Sequence, residues 1–322
     1  METTSILLVF IVLGMVIAFS IGANDETFAC IYGSKTLTLR ELLILSTIFA
    51  VLGAVFFGRA VSETVGKNIL YIKITTAIVI TVLISTAFWL ILSARLGIPI
   101  STTHTTIGVI VGLGIFLGGW DRGINWLIII EMSIWWILSP IIGFIASFMA
   151  YKLIHKFIIN KQNGFQDFQK SERIFSYILV ITICLTALSR AGNECSKAIG
   201  IVVGIGDIEI NLLLFLTGLS FAFGIVILGR YIIKSVSKIT ELMPSTAFAA
   251  EIPSTIILFI GTLRGIPLSG SHMLVASLVG IAKARHMPIE KRMWKILIVW
   301  ILTFPVAAIM AIIFYLPISS FI

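Results

Sequence analysis

Ten long apolar runs, at about 5–32, 42–58, 74–97, 99–118, 124–151, 174–205, 212–228, 245–264, 267–282 and 294–318, leave this chain few folds to choose from. Most are long enough to cross the roughly 30 Å hydrocarbon core of a bilayer as helices. Alternation of period two, the mark of an outer-membrane barrel, is absent. The expectation is an all-α polytopic membrane protein of about ten transmembrane segments, multi-pass in the cell's plasma membrane with lipid as its main solvent. Composition agrees: 12% of residues are charged and 58% hydrophobic, where a soluble domain carries roughly 25% charge. The net charge of +8 lies largely in the short loops, as cytoplasmic loops do, so no nucleic acid partner is expected. Before Lys35 there is no basic residue, so the first run lacks the basic start of a cleavable signal peptide and is expected to stay. Cys30, Cys184 and Cys195 have neither disulfide nor zinc spacing and read as packing residues.

The two halves match each other in order. Asn24 in GANDETFAC pairs with Asn193 in AGNECSKAI, the GR of 58–59 pairs with that of 229–230, and PISTTH from Pro99 pairs with PLSGSH from Pro267. The offsets agree to within three residues, which chance likeness between apolar helices would not give. Residues 1–151 are therefore expected to form one repeat, 152–173 a cytoplasmic linker, and 174–322 a second repeat.

Five segments per unit make the second copy inverted, and loop charges test this. The 33–41 loop has Lys35 and Arg40 while 206–211 has no basic residue; 119–123 has Arg122 alone while 283–295 has Lys283, Arg285, Lys291, Arg292 and Lys295. Opposite bias at equivalent positions is what inversion gives under the positive-inside rule, with both termini outside. Loops 59–73 and 229–241 resist, with three basic residues each.

Charges inside spans cost about 2.5–3.5 kcal/mol on insertion scales, so those retained need partners or a task. Asn24, Asp25 and Glu26 follow Gly22 in the first run, and Arg190, Asn193, Glu194 and Lys197 surround Gly192 in the sixth. Glycine beside such residues is poor helix material, so both segments are expected to be interrupted there, freeing oxygens for a small cation. The plainer alternative is an interhelical salt-bridge cluster of Arg190, Glu194 and Lys197 with Asp25.

Pro99 and Pro267 each read as a helix start, followed by hydroxyls and free N–H groups. Ser101, Thr102 and Thr103 in one copy, with Ser269 and Ser271 in the other, would bind a tetrahedral oxyanion at the positive end of the helix dipole. Simple capping of the helices is the alternative. His104 and His272 would relay protons or hydrogen-bond between helices. Glu131 reads as a partner for a neighbouring helix, and Glu251 as a residue facing the pathway.

With these motifs in place the chain resembles the inorganic phosphate transporter (PiT) family, including its sulfate permease branch. The resemblance rests on GAND at 22–25, GRAVSETVGK at 58–67, PISTTH at 99–104, AGNE at 191–194, GRYIIKSVSK at 229–238 and PLSGSH at 267–272. It implies an inverted-repeat secondary transporter importing phosphate by sodium or proton symport, with no cofactor beyond sodium as a coupling ion. A proton-coupled sulfate permease is the alternative, and a passive anion channel a more distant one. A homodimer is left open. Carried over by motif, Asn24, Asp25, Asn193 and Glu194 would be the cation ligands and the five hydroxyls the anion site. The chain departs from the pattern at Phe28 and Lys197, where a second Asn is usual, at Glu194 in place of Asp, and at Gly270 in place of Thr. Lys197 would put an ammonium where a sodium would sit, or exchange a proton as the anion arrives. An intramembrane enzyme is not expected: HExxH is absent, and Ser101 with His104 on one turn is no nucleophile and base presented to a substrate.

Overall fold

The computed structural model describes residues 2–95, 100–205, 209–237, 242–287 and 292–321, and these are helical apart from short connections. The first half holds α1 (Glu2–Ala23), α2 (Ala29–Gly33), α3 (Leu39–Glu63), α4 (Thr76–Arg95), α5 (Thr102–Gly123) and α6 (Trp126–Phe157). The second holds α7 (Phe165–Val203), α8 (Ile210–Gly224), α9 (Arg230–Val236), α10 (Pro244–Leu263), α11 (Gly270–Ala284) and α12 (Arg292–Phe321). Nine described segments are long and apolar enough to cross a membrane, and α11, at 15 residues, is the shorter tenth. Their outward faces carry large exposed apolar side chains such as Leu127, Ile301 and Phe56, as a surface bathed in lipid requires.

The packing is reciprocal. α1 lies on α8 as α7 lies on α3, α1 on α4 as α7 on α10, and α5 on α12 as α11 on α6. Exchanging the halves maps this set onto itself. Matched glycines permit close approach in both the α3–α7 and the α8–α1 pairs. A Cβ on Gly53 of α3 would lie 2.2 Å from the Leu188 carbonyl oxygen on α7, and one on Gly224 of α8 would lie 2.2 Å from the Phe19 carbonyl oxygen on α1. Small residues that let helix backbones touch are the usual means of association where lipid removes the hydrophobic drive.

Two hairpins set the site. The Leu70–Ile124 bridge, with Tyr71 N–H donating to the Gly123 carbonyl, ties the end of α5 to the segment before α4. α4 and α5 therefore run out and back, and α10 and α11 do the same about residues 264–269. Ser101, just before α5, and Leu268 and Ser269, just before α11, come together in the interior.

Several expectations change here. The 152–173 linker is mostly helix: α6 runs to Phe157 and α7 begins at Phe165, so Lys152, Lys156, Lys170 and Arg173 stand on helix ends and Lys161 lies between them. The first motif does interrupt its segment, between Ala23 and Ala29, but α7 runs unbroken through Gly192 and Asn193. The reason is that the polar side chains of α7 find partners beyond their own helix, and one Gly costs a helix only about 1 kcal/mol. Pro99 lies outside the described residues. Pro267 precedes the helix it was expected to open: Ser269 is the N-cap of α11.

Candidate functional site

The first motif bends because its side chains serve the backbone. After α1 ends at Ala23, Asp25 Oδ1 accepts the Thr27 N–H at 2.8 Å and Asn24 Nδ2 donates to the Ser20 carbonyl at 2.9 Å. This turn aims the Asp25 carboxylate, 2% exposed, into the protein.

On α7, Arg190, Asn193, Glu194 and Lys197 fall at the spacings that share one helix face, and all four are buried. Arg190 Nε lies 3.2 Å from Asp25 Oδ2, and its Nη2 lies 3.3 Å from Glu26 Oε1 and 3.4 Å from Ser271 Oγ. Lys197 Nζ lies 2.9 Å from Glu194 Oε1, 2.7 Å from Thr103 Oγ1 and 3.1 Å from the Leu268 carbonyl. The plainer alternative is thus realised, as two separate groups, Arg190 with Asp25 and Glu26 and Lys197 with Glu194, rather than one knot. Asn193 has no free amide group: Nδ2 donates to Thr262 Oγ1 and the Ile266 carbonyl, and Oδ1 accepts the Leu268 N–H. That bond holds Leu268 out of the helix and explains why α11 starts at Gly270. Among the described residues no three His, Cys, Asp or Glu side chains group to hold a metal.

The two hairpin turns meet through their serines, with Ser101 Oγ 3.3 Å from Ser269 Oγ. Each serine also caps its own helix, accepting from His104 N–H at 3.2 Å and His272 N–H at 3.5 Å. Thr103 joins them across the interface by donating to the Leu268 carbonyl at 2.8 Å. Thr102 turns away and donates to Glu194 Oε2 at 2.7 Å, while Ser271 faces Arg190. The five hydroxyls are therefore three at the meeting point and two bridging to the charged side chains. Two helix starts pointing at one place bring together two positive dipole ends and the orphan N–H groups of two first turns.

Other expectations sort as follows. The His104 and His272 rings stack with centroids 4.9 Å apart, flanked by Trp136 at 4.5 Å and Trp300 at 3.8 Å. Stacking replaces the expected hydrogen bond: His104 Nδ1 and His272 Nε2 have no hydrogen-bond partner among the described residues. Glu131 is exposed rather than set against a neighbouring helix. Glu251 is buried beside Cys30. The three cysteines are free, two of them buried, as packing residues are. Sequence reasoning missed Glu172, which accepts from Ser245 N–H at 3.0 Å and Ser245 Oγ at 2.6 Å and so anchors the start of α10. It also missed Trp136, whose Nε1 donates to the Pro267 carbonyl at 2.9 Å. Neither has a local pattern to mark it, because each partner is far along the chain.

Residues 21–311 match the profile of the phosphate transporter family. The chain belongs to that family. It is a membrane transporter by that membership, and not an enzyme. A Pyrococcus furiosus protein, named provisionally as a phosphate permease, is 28% identical over 95% of this chain and 94% of its own. An Arabidopsis thaliana protein named as a chloroplastic inorganic phosphate transporter is 24% identical over 94% of this chain and 70% of its own. A solved structure described as the sodium-dependent phosphate transporter shares the fold at a TM-score of 0.88, with 24% identity, over 99% of this chain and all of that one.

Proposed function

We propose that this member of the phosphate transporter family imports inorganic phosphate across the plasma membrane by cation symport. The observation that carries the reading is the meeting of Ser101 and Ser269, where two helix starts converge in the protein interior. A tetrahedral oxyanion entering between them would take the hydroxyls of Ser101, Thr103 and Ser269, with Thr102 and Ser271 at its edges, and the N–H groups of both first turns. Neutral donors and dipole ends hold an anion firmly enough to select it and weakly enough to release it. Asp25 and Glu194, each on one side of this place, are the residues we assign to coupling, and Asn24 and Asn193 to holding the backbone around them. Asp25→Asn and Glu194→Gln should each abolish concentrative uptake while the chain still folds.

The same reading takes residues 1–151 and 174–322 as inverted repeats, with 152–173 cytoplasmic and both termini outside. The sides do not depend on whether the α4–α5 and α10–α11 hairpins cross or re-enter, since either gives each half an odd number of crossings. The chain would work alone or as a homodimer, which its mass in detergent decides. Uptake of labelled phosphate into proteoliposomes under imposed sodium or proton gradients, with sulfate as competitor, tests the function. Equilibration without accumulation under every gradient would make it a channel, and preferential inhibition by sulfate would reassign the substrate.

A further inference from the structure

Sodium, the coupling ion the resemblance implies, would need oxygens free to surround it, and Glu194, Asn193 and Asp25, three of the four residues expected to supply them, already face cations or donors of the chain itself. Lys197 Nζ has three oxygens around it, one carboxylate, one hydroxyl and one main-chain carbonyl, from Glu194, Thr103 and Leu268 at 2.7–3.1 Å. Those are the oxygen types that hold a bare alkali cation where a membrane helix end or turn exposes them. They use all three ammonium donors, and the Lys197 side chain has no exposure at all. Asn193, the other expected ligand of that set, spends both donors and its oxygen on residues 262–268. On the other side, Asp25 has one oxygen on the Thr27 N–H, and its other, which accepts no hydrogen bond among the described residues, lies 3.2 Å from Arg190 Nε as an ion pair; Arg190 also pairs with Glu26.

The two cations stand in the same relation to the two hairpins. Arg190 joins the acids of the first motif to Ser271 on α11, and Lys197 joins Glu194 of the second motif to Thr103 on α5. Each neutralises a carboxylate that would otherwise repel an anion at the adjoining helix start. We propose that Lys197 and Arg190 are built-in counter-cations that make anion transport by this chain independent of sodium. The inference rests on the anion reading of the hairpin site for its transport consequence, but not for its statement about sodium binding.

The test has two arms. In proteoliposomes, replacing sodium with choline at equal osmolarity should change labelled phosphate uptake by less than about twofold, and a tenfold fall overturns the proposal. In detergent, thermal unfolding of the full chain is followed as sodium chloride replaces choline chloride at constant ionic strength. The wild type should show no sodium-specific rise in melting temperature, whereas Lys197→Asn should gain one of at least about 2 °C, because an ion that binds only the folded state stabilises it. A saturable sodium-specific rise in the wild type overturns the proposal, as does its absence in a folded Lys197→Asn. Should that variant fail to fold, the wild-type melting curve alone decides. No phosphate uptake under any gradient would sink the transport reading, and the melting arm would still show whether the wild type binds sodium.

Discussion

Gly270 lies against the guanidinium of Arg190 so closely that a Cβ at 270 would sit 2.5 Å from Arg190 Nη1 and 2.9 Å from Cζ. The glycine where the resembling pattern has a threonine is thus explained by an arginine 80 positions earlier. Removing the side chain at 270 makes room for a buried cation that both Asp25 and Glu26 use.

Gly270→Ala should therefore destabilise the chain by displacing the guanidinium, since loss of one partner from a buried ion pair costs about 3–5 kcal/mol. In combination with Arg190→Ala it should cost little more than Arg190→Ala alone, because both changes remove the same contact. Melting temperatures of the two single variants and the double variant in detergent check this. Full additivity would mean that Gly270 is small for another reason.

Thr102→Val and Ser269→Ala should each raise the KM for phosphate about tenfold, the worth of roughly one good hydrogen bond, with expression unchanged. Thr102→Val also frees Glu194 Oε2, which now accepts from that hydroxyl. Uptake kinetics at several phosphate concentrations read the effect, and unchanged kinetics in both variants would leave the hydroxyls as caps only.

Asn193→Ala should loosen the α10–α11 turn rather than the helix it belongs to. It strips the Leu268 N–H of its acceptor and the Ile266 carbonyl of its donor, and each buried group left unpaired costs about 1–3 kcal/mol. Asn193→Asp keeps the acceptor and should recover part of the loss. Hydrogen exchange at Leu268, faster in Asn193→Ala than in Asn193→Asp, is the readout.

A cysteine at Lys161, which is exposed between α6 and α7, should react with impermeant reagents only from the cytoplasmic side, and one at Ser320 only from outside. Of the native cysteines Cys30 and Cys195 are buried and give little background, and the half-buried Cys184 is first replaced by Ser. Labelling of position 161 from outside would remove the inverted arrangement.

What the sequence determined by itself is what depends on composition along one helix. Run length against bilayer thickness gave the spans, the ordered matches from Asn24 and Asn193 to Ser101 and Ser269 gave the two halves, and the buried charges gave the residues that needed partners. Only the tertiary structure decided which partners they took. The break at Asn24–Phe28 and the unbroken α7 look alike in sequence, and they differ because Asp25 serves a local N–H while Asn193 reaches 75 residues along the chain to Leu268. Likewise, Arg190 was legible as a charge in the membrane, but its pairing with Asp25 and its place against Gly270 depend on how α1, α7 and α11 pack. Burial of a charge is a property of one segment, whereas its neutralisation is a property of several, set where helices separated by many residues come within hydrogen-bonding reach.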